Sequence, residues 1–372
     1  MVDLQSQYHK IKPEIDIAIQ RIIDSASFVK GPEVKAFEKE LARYMGIRHV
    51  TACANGTDAL QVALMALNLR PGDEVITPDF TFIATVEVIA LLGLKPVLVD
   101  VNPDDFTLNM VSLKKAVNAK TRVIIPVHLF GQCSNMEQIL SLARENDLYV
   151  IEDNAQAIGS DYRFSDGSIN KAGTLGDIGC TSFFPSKNLG CFGDGGALFT
   201  NNDELADQLS TIVNHGMKVR YYHDMVGINS RLDTIQAAIL RVKLGYLDDY
   251  IKARQKAALY YDNAFKESEE IIIPVRNSFS THVFHQYTIR LRNKNRDELR
   301  AFLQAKDIPA MIYYPVPLHR QKAFQHLGFQ DEDFPVTEEL CRTVLSLPMH
   351  TELDDEQLDY IVSHVLDFVN AH

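Results

Sequence analysis

Between about residues 48 and 200 the chain returns repeatedly to short, β-branched, largely apolar runs. These are His49–Cys53, Val75–Thr77, Pro96–Val101, Val123–Val127 and Leu148–Glu152. Between them lie segments of helical period. Asp58–Leu67 puts Leu60, Leu64 and Leu67 on one face, a second segment runs through Ala84, Val88 and Leu92, and a third covers Met136–Arg144. A strand that is apolar on both sides must be covered on both sides, and helices placed between successive strands do this when the strands run parallel. The pattern predicts an α/β fold built on a mostly parallel sheet.

The second half reads differently. Thr234–Tyr246 is helical, with Ile235, Ala238, Ile239, Val242 and Tyr246 on one stripe, and a longer charged helix follows over Ile251–Lys266. An alternating strand is expected through Val283, His285, Tyr287, Ile289 and Leu291, then a helix near Asp297–Gln304. A last helix carries Leu358, Ile361, Val362, Val365, Leu366 and Val369. We therefore expect two domains. A large sheet domain with an N-terminal helical segment covers 1–246, and a smaller α+β domain covers 247–372.

Charge and cysteine usage narrow the function classes. Lys plus Arg number 37 against 49 Asp plus Glu, a formal net charge of -12, so nucleic acid and anionic membrane are poor partners. The five cysteines are dispersed and never spaced as CxxC, which argues against a disulfide framework or a zinc site and suits a reducing compartment. Val88–Leu94 is too short to cross a bilayer, and the first residues lack the basic and apolar regions of a signal peptide. The expectation is a cytoplasmic protein.

Three constellations could carry chemistry. Ala54-Asn55-Gly56-Thr57-Asp58 joins a strand to a helix; a glycine at a helix N-terminus leaves backbone N–H groups free for a phosphate, although an ordinary capped turn has the same sequence. Val150-Ile151-Glu152-Asp153 ends a strand in two carboxylates. Neighbouring strand residues point to opposite faces, so one acid can enter a crevice while the other caps the strand. In Ser182-Phe-Phe-Pro-Ser-Lys187-Asn-Leu-Gly-Cys-Phe-Gly-Asp-Gly-Gly196, a lysine stands among Phe183, Phe184, Pro185, Leu189 and Phe192. A desolvated setting favours the neutral amine and Schiff-base chemistry. The run lacks Gly-Lys-Ser/Thr and is no nucleotide P-loop. His215, His282, His285 and His319 show no metal-binding spacing, so no metal is expected. Cys191 has no neighbouring histidine to activate it and reads as packing, and Asp331-Glu332-Asp333 reads as a solvated turn.

Read in order, further segments join these three: Pro-Asp-Phe-Thr-Phe-Ile-Ala-Thr (78–85), Pro-Val-His-Leu-Phe-Gly (126–131), Ile-Glu-Asp-Asn-Ala-Gln-Ala (151–157) and Gly-Ile-Asn-Ser-Arg-Leu-Asp-Thr-Ile-Gln-Ala-Ala-Ile-Leu (227–240). The set resembles the DegT/StrS family of nucleotide-sugar aminotransferases, over nearly the whole chain. The resemblance implies the aspartate-aminotransferase-like type I fold and a pyridoxal 5'-phosphate cofactor. Lys187 would carry the cofactor as a Schiff base and move protons, while Asp153 would pair with the pyridine nitrogen. Gln156 would lie beside the ring and Phe82 would stack on it. The Gly56 and Thr57 amides and the Ser182 hydroxyl would hold the phosphate.

The resemblance also implies a homodimer with shared active sites, Asn229 reaching the phosphate of the neighbouring subunit. Arg231, Tyr313, Tyr314 and His319 would contact the nucleotide sugar, with Arg220 and Arg320 as further cations for its diphosphate. The implied reaction moves an amino group from an amino acid, glutamate first, to a keto group, C3 first, of a UDP- or dTDP-linked hexose. Its setting would be cell-surface polysaccharide or deoxyaminosugar biosynthesis. Two rivals are a sugar dehydratase, which in this family has histidine where Lys187 stands, and a non-catalytic sugar-nucleotide sensor. Family members acting on 2-acetamido-3-keto uronic acids often have His-Tyr-Pro where this chain has Tyr313-Tyr314-Pro315, a departure that weighs against a uronate.

Overall fold

In the computed structural model, which describes residues 1–371, two helices, α1 (Leu4–Ser25) and α2 (Pro32–Met45), lead into the alternating region. There follow β1 (His49–Cys53), α3 (Gly56–Ala66), β2 (Glu74–Pro78), α4 (Ala84–Leu91), β3 (Lys95–Val99), α5 (Met110–Ala116), β4 (Thr121–Ile124), α6 (Met136–Glu145) and β5 (Tyr149–Asp153). A hairpin, β6 (Asp161–Arg163) and β7 (Ile169–Lys171), precedes β8 (Ile178–Ser182) and β9 (Gly196–Thr200). Then come α7 (Asp203–Ile212), a short hairpin of β10 (Met217–Val219) and β11 (Tyr222–His223), and α8 (Thr234–Leu244). The remainder holds α9 (Leu247–Phe265), β12 (Ile271–Ile272), β13 (Tyr287–Leu291), α10 (Arg296–Gln304), α11 (Pro335–Thr343), β14 (Val344–Leu347) and α12 (Asp355–Asn370).

The main sheet has the strand order β1-β9-β8-β5-β4-β2-β3, and all its strands run parallel except β9, which opposes both neighbours. Alternate residues of the strands feed two cores. Val75, Val123 and Ile151 pack with Leu60 and Leu64 of α3, Val88 and Ile89 of α4, and Leu209 and Ile212 of α7. Ile76, Ile124 and Val150 pack on the other side with Leu113 of α5 and Met136 and Ile139 of α6. Burial on both faces, at about 1.5–3 kcal/mol for each aliphatic side chain, is what the continuous apolar runs encode.

The expected strands lacked β8 and β9. β8 is Ile-Gly-Cys-Thr-Ser, and its glycine is obligatory, because a Cβ at Gly179 would lie 1.9 Å from the Gly173 carbonyl oxygen. The connection from β8 to β9 is a loop without a crossover helix, and such a connection returns antiparallel. The alternating strand expected over 283–291 is only Tyr287–Leu291, and all five residues are buried. One side packs Tyr287, Ile289 and Leu291 into the second core, while Arg290 on the other side pairs with Asp104 at 3.1 Å.

That second core gathers Tyr261 and Phe265 of α9, Leu299 and Leu303 of α10, and Leu358, Ile361 and Val365 of α12 around β12-β13-β14. The division we propose at 246/247 falls between α8 and α9. Apolar residues of the later chain also pack on the sheet domain: Leu318, Phe324 and Phe334 against Val86 and Leu98, and Leu340 and Val344 against Phe80 and Val101. This docking brings Tyr313 and Tyr314 over the carboxyl ends of the strands. No helix among the described residues is long and apolar enough to cross a membrane.

Candidate active site

Asn55 caps α3, its side-chain oxygen accepting the Asp58 N–H at 2.7 Å. The N–H groups of Gly56 and Thr57, in the first turn, have no acceptor within the helix and point out of its positive end. Glycine is required at 56, since a Cβ there would lie 2.7 Å from the Cβ of Ser182. The strand end that carries Ser182 is thereby brought against the helix N-terminus.

β5 separates its two acids as the two-residue period demands. Glu152 is fully buried on one face, where it accepts from the N–H groups of Gly173, Leu175 and Gly176 and from Nε2 of His128 at 2.8 Å. Nδ1 of His128 accepts the Ser134 N–H, so its proton sits on Nε2. Asp153 enters the opposite face. Its Oδ2 accepts the Thr85 hydroxyl at 2.8 Å and its Oδ1 the Ala155 N–H at 3.1 Å.

Both groups face a cavity of about 610 Å³. Its wall brings together Gly56, Thr57, Phe82, Asp153, Gln156, Ser182, Lys187, Tyr313 and Tyr314, together with Thr81, Phe130, Asp194, His285 and Gln286. Gln156 is buried, accepting the Phe130 N–H at 2.8 Å and donating to the Tyr314 hydroxyl at 3.1 Å. Phe82 is 54% exposed and tilts against Tyr314. Burial pushes the Tyr314 phenol up, so it stays protonated.

Burial lowers the Lys187 amine to about 8, against the opposing pull of the Asp153 charge. The source of the desolvation differs from the sequence reading. Phe183 and Leu189 lie beneath the loop in a core with Phe37 and Leu41, and Phe192 turns away to meet Tyr8 and Lys243. Of the five neighbours, Phe184 lines the cavity, and the other aromatic walls are Phe82, Phe130, Tyr313 and Tyr314. An amine poised near neutrality, a hydrogen-bonded carboxylate, an aromatic wall and a helix N-terminus with free N–H groups are the donor set pyridoxal phosphate requires. The residues present fit that group.

Five expected contacts lie elsewhere. Asn229 is exposed and bridges Asn214, off the wall of its own chain's cavity. Arg231 also lies off that wall, close enough to Lys30 for its charge to help burial lower that amine. Arg220 lies over the Tyr221 ring. His319 is a correction, because it is buried and spent. Its Nδ1 meets Asp79 Oδ2 at 2.6 Å, its N–H donates to Asp79 Oδ1, and its Nε2 lies 3.2 Å from both Asp331 and Glu338. Arg320 is likewise paired with Asp331 and Glu338, while Asp331-Glu332-Asp333 forms the exposed turn expected. His319, Asp331 and Glu338 lie close enough together to hold a metal ion, but the Arg320 guanidinium already supplies the positive charge there. Cys191 is packing: its buried thiol donates to the Phe183 and Gly193 carbonyls and is pushed up to about 11 by burial.

Two residues of the site escaped the sequence reading, Thr85 buried behind Asp153 and His285 on the cavity wall. Thr85 stands in the motif 78–85 without an assigned role, and no local pattern pairs it with a residue 68 positions on. In the sequence His285 is legible only as a strand position and as one of several scattered histidines.

Comparison with known proteins bears on all of this. A family model described as the DegT/DnrJ/EryC1/StrS aminotransferase family matches residues 9–366. The UDP-2-acetamido-2-deoxy-3-oxo-D-glucuronate aminotransferase of Pseudomonas aeruginosa is 44% identical over 360 residues, covering 97% of each chain. The UDP-N-acetyl-3-dehydro-alpha-D-glucosamine 3-aminotransferase of Acidithiobacillus ferrooxidans is 44% identical over 363 residues, 98% of this chain and 96% of that one. Among solved structures, NtdA from Bacillus subtilis with bound cofactor PMP superposes with a TM-score of 0.89 at 31% identity, covering 97% of this chain and 82% of that one.

Proposed function

The chain belongs to the DegT/DnrJ/EryC1/StrS aminotransferase family, and from that premise we propose that it aminates the C3 keto group of a UDP-linked N-acetylhexosamine, with glutamate as donor. The observation that carries the reading is the meeting of Lys187 and Asp153 on one cavity beside the N-terminus of α3. The cofactor is pyridoxal 5'-phosphate, which when bound supplies an electron-accepting ring for the pair released as a proton leaves the substrate carbon.

The chain's own residues divide the remaining work. The Gly56 and Thr57 N–H groups and the Ser182 hydroxyl bind the phosphate. Asp153, oriented by Thr85 and Ala155, presents a carboxylate to the ring nitrogen. Lys187 carries the proton. With its amine near 8, about a tenth is neutral at pH 7, so it can accept a proton from carbon and return one. Gln156, held by Phe130 and Tyr314, fixes the edge of the cavity, and Phe82 covers its face. Asn229 and Arg231, which do not line their own cavity, complete that of the partner in a homodimer.

Tyr313 supports the neutral sugar over the uronate. Its hydroxyl is uncharged, and burial pushes its pKa up, so it offers a carboxylate no cation. The test is kcat/KM with glutamate for UDP-3-keto-N-acetylglucosamine, its uronate, and dTDP-3-keto-6-deoxyglucose, with the amino sugar followed by mass spectrometry. The neutral UDP sugar should be preferred at least tenfold. Preference for the uronate or the dTDP sugar would overturn the substrate assignment, and turnover of a 4-keto sugar alone would overturn the regiochemistry.

A further inference from the structure

Lys243 of α8 is 2% exposed, and among the described residues no carboxylate pairs with it. Its Nζ donates to the Gly190 carbonyl at 2.6 Å and stands 5.6 Å from the centre of the Phe192 ring. Burial lowers the amine to about 8, so at pH 7 it is mostly charged and the bond to Gly190 is charge-assisted. Lysine is almost never buried this deeply without an acid beside it. Methionine would fill the same space without the cost of a buried charge, so the packing of α8 alone does not account for a lysine here.

A second side chain of α8 acts on the same stretch. Gln236 stands seven residues before Lys243, about two helical turns, and so on the same face. Its Oε1 accepts the Phe192 N–H at 2.9 Å and its Nε2 donates to the Phe192 carbonyl at 3.3 Å. Residues 184–194 lie between β8 and β9 and join no ladder, so their backbone groups take partners from side chains. One face of α8 supplies partners at both Gly190 and Phe192.

These two residues close the turn that carries Lys187. The Lys187 N–H donates to the Phe184 carbonyl at 2.8 Å, and the Cys191 N–H to the Phe183 carbonyl at 2.8 Å. Gly190 packs so closely on the opening arm that a Cβ there would lie 2.4 Å from the Pro185 carbonyl oxygen. Beyond the apex, the Asn188 side chain donates to the Val283 carbonyl at 2.9 Å. A shift of Gly190 is therefore passed to both arms of the turn, and with them to Lys187.

We propose that Lys243 is a positioning residue for Lys187, with Gln236 as its companion: the two hold the closing arm of the loop on α8 and so fix where in the cavity the Lys187 amine stands. This rests on the reading that Lys187 is the working amine. Lys243 and Gln236 do not line the cavity, so they act through the loop.

The test compares Lys243→Met, which keeps the bulk and loses the donor, with Lys243→Gln, which keeps an N–H donor. Amide hydrogen exchange of the cofactor-free protein, read by mass spectrometry, should show residues 183–192 exchanging about tenfold faster in the methionine variant, with β4 and β5 as in wild type. In the holoenzyme kcat should fall about tenfold with KM for the sugar nucleotide not raised, because a displaced amine slows proton transfer and leaves sugar binding alone. Glutamine should recover most of the loss in both readouts. Should the methionine variant not fold, Gln236→Leu, which removes both bonds to Phe192, is read in the same way. Loop exchange as in wild type, an unchanged kcat, or equal impairment of the methionine and glutamine variants would overturn the proposal. Faster exchange throughout the sheet would also overturn it, by showing Lys243 to serve the fold as a whole. Borohydride reduction of the pyridoxal form separates the proposal from its premise: label away from Lys187 sinks the parent reading, and label on Lys187 with an unloosened loop sinks only the role of Lys243.

Discussion

Lys187→Met should make the cofactor-free protein more stable, and the gain should depend on pH in a way that identifies its cause. The Lys187 ammonium is driven from an ordinary 10.5 to about 8 by burial. The difference is 2.5 units, which at 1.36 kcal/mol each is about 3.4 kcal/mol. Because the side chain keeps part of its surface, solvent screening trims this to about 2 kcal/mol. Below pH 8 both folded and unfolded chains hold the proton, and the full cost of a buried charge is present. Between 8 and 10.5 the unfolded chain holds more protons than the folded one, so wild-type stability rises with pH until the cost is gone. Methionine is one atom shorter than lysine and carries no charge, and titrating groups other than Asp153 and His285, which Lys187 influences, cancel in the comparison. Urea unfolding at pH 7 should show the variant ahead by about 2 kcal/mol, with the gap closing toward pH 10.5. A variant less stable than wild type at pH 7, or a gap of equal size at both pH values, would refute the burial argument.

Thr85→Val keeps shape but removes the hydroxyl that donates to Asp153. A hydrogen bond to a buried carboxylate is worth about 1.5–3 kcal/mol, and urea unfolding should show that loss with Thr85→Ser recovering most of it. Equal stabilities of the valine and serine variants would show the bond to be idle. If Asn229 serves the partner's cavity, mixing inactive Lys187→Ala and Asn229→Ala subunits should restore turnover in a quarter to a half of sites. Absence of rescue after demonstrated subunit exchange would confine each site to one chain.

What could be read from the sequence was what the backbone decides locally. The apolar runs became strands because both faces had to be covered, and Glu152 and Asp153 parted to opposite faces because the strand period is two. The cap at Asn55 and the glycine at 56 mark a helix N-terminus in any context. What could not be read depends on partners far along the chain. Asp79 meets His319 across 240 positions, so a histidine placed with the substrate contacts proves to be consumed by structure. Gln156 meets Tyr314 across 158 positions, and Thr85 meets Asp153 across 68. Lys187 was read as desolvated for partly mistaken reasons, since most of its apolar sequence neighbours pack elsewhere and the cavity wall comes from other segments.

The same distinction divides the site physically. Gly56, Thr57, Asp153 and Ser182 sit at strand and helix ends of the seven-stranded sheet, where each position is fixed by a core packed on two sides. Tyr313 and Tyr314 come from a connection outside that sheet, and the chain beyond them is anchored at a distance from the cavity by the Asp79–His319 pair and by Leu318, Phe324 and Phe334. Side chains at 313 and 314 can therefore change without disturbing the carboxylate, the helix N-terminus or the lysine. A rigid element holds the proposed chemistry and a separately anchored loop faces the sugar, so within this scaffold selectivity can change faster than mechanism.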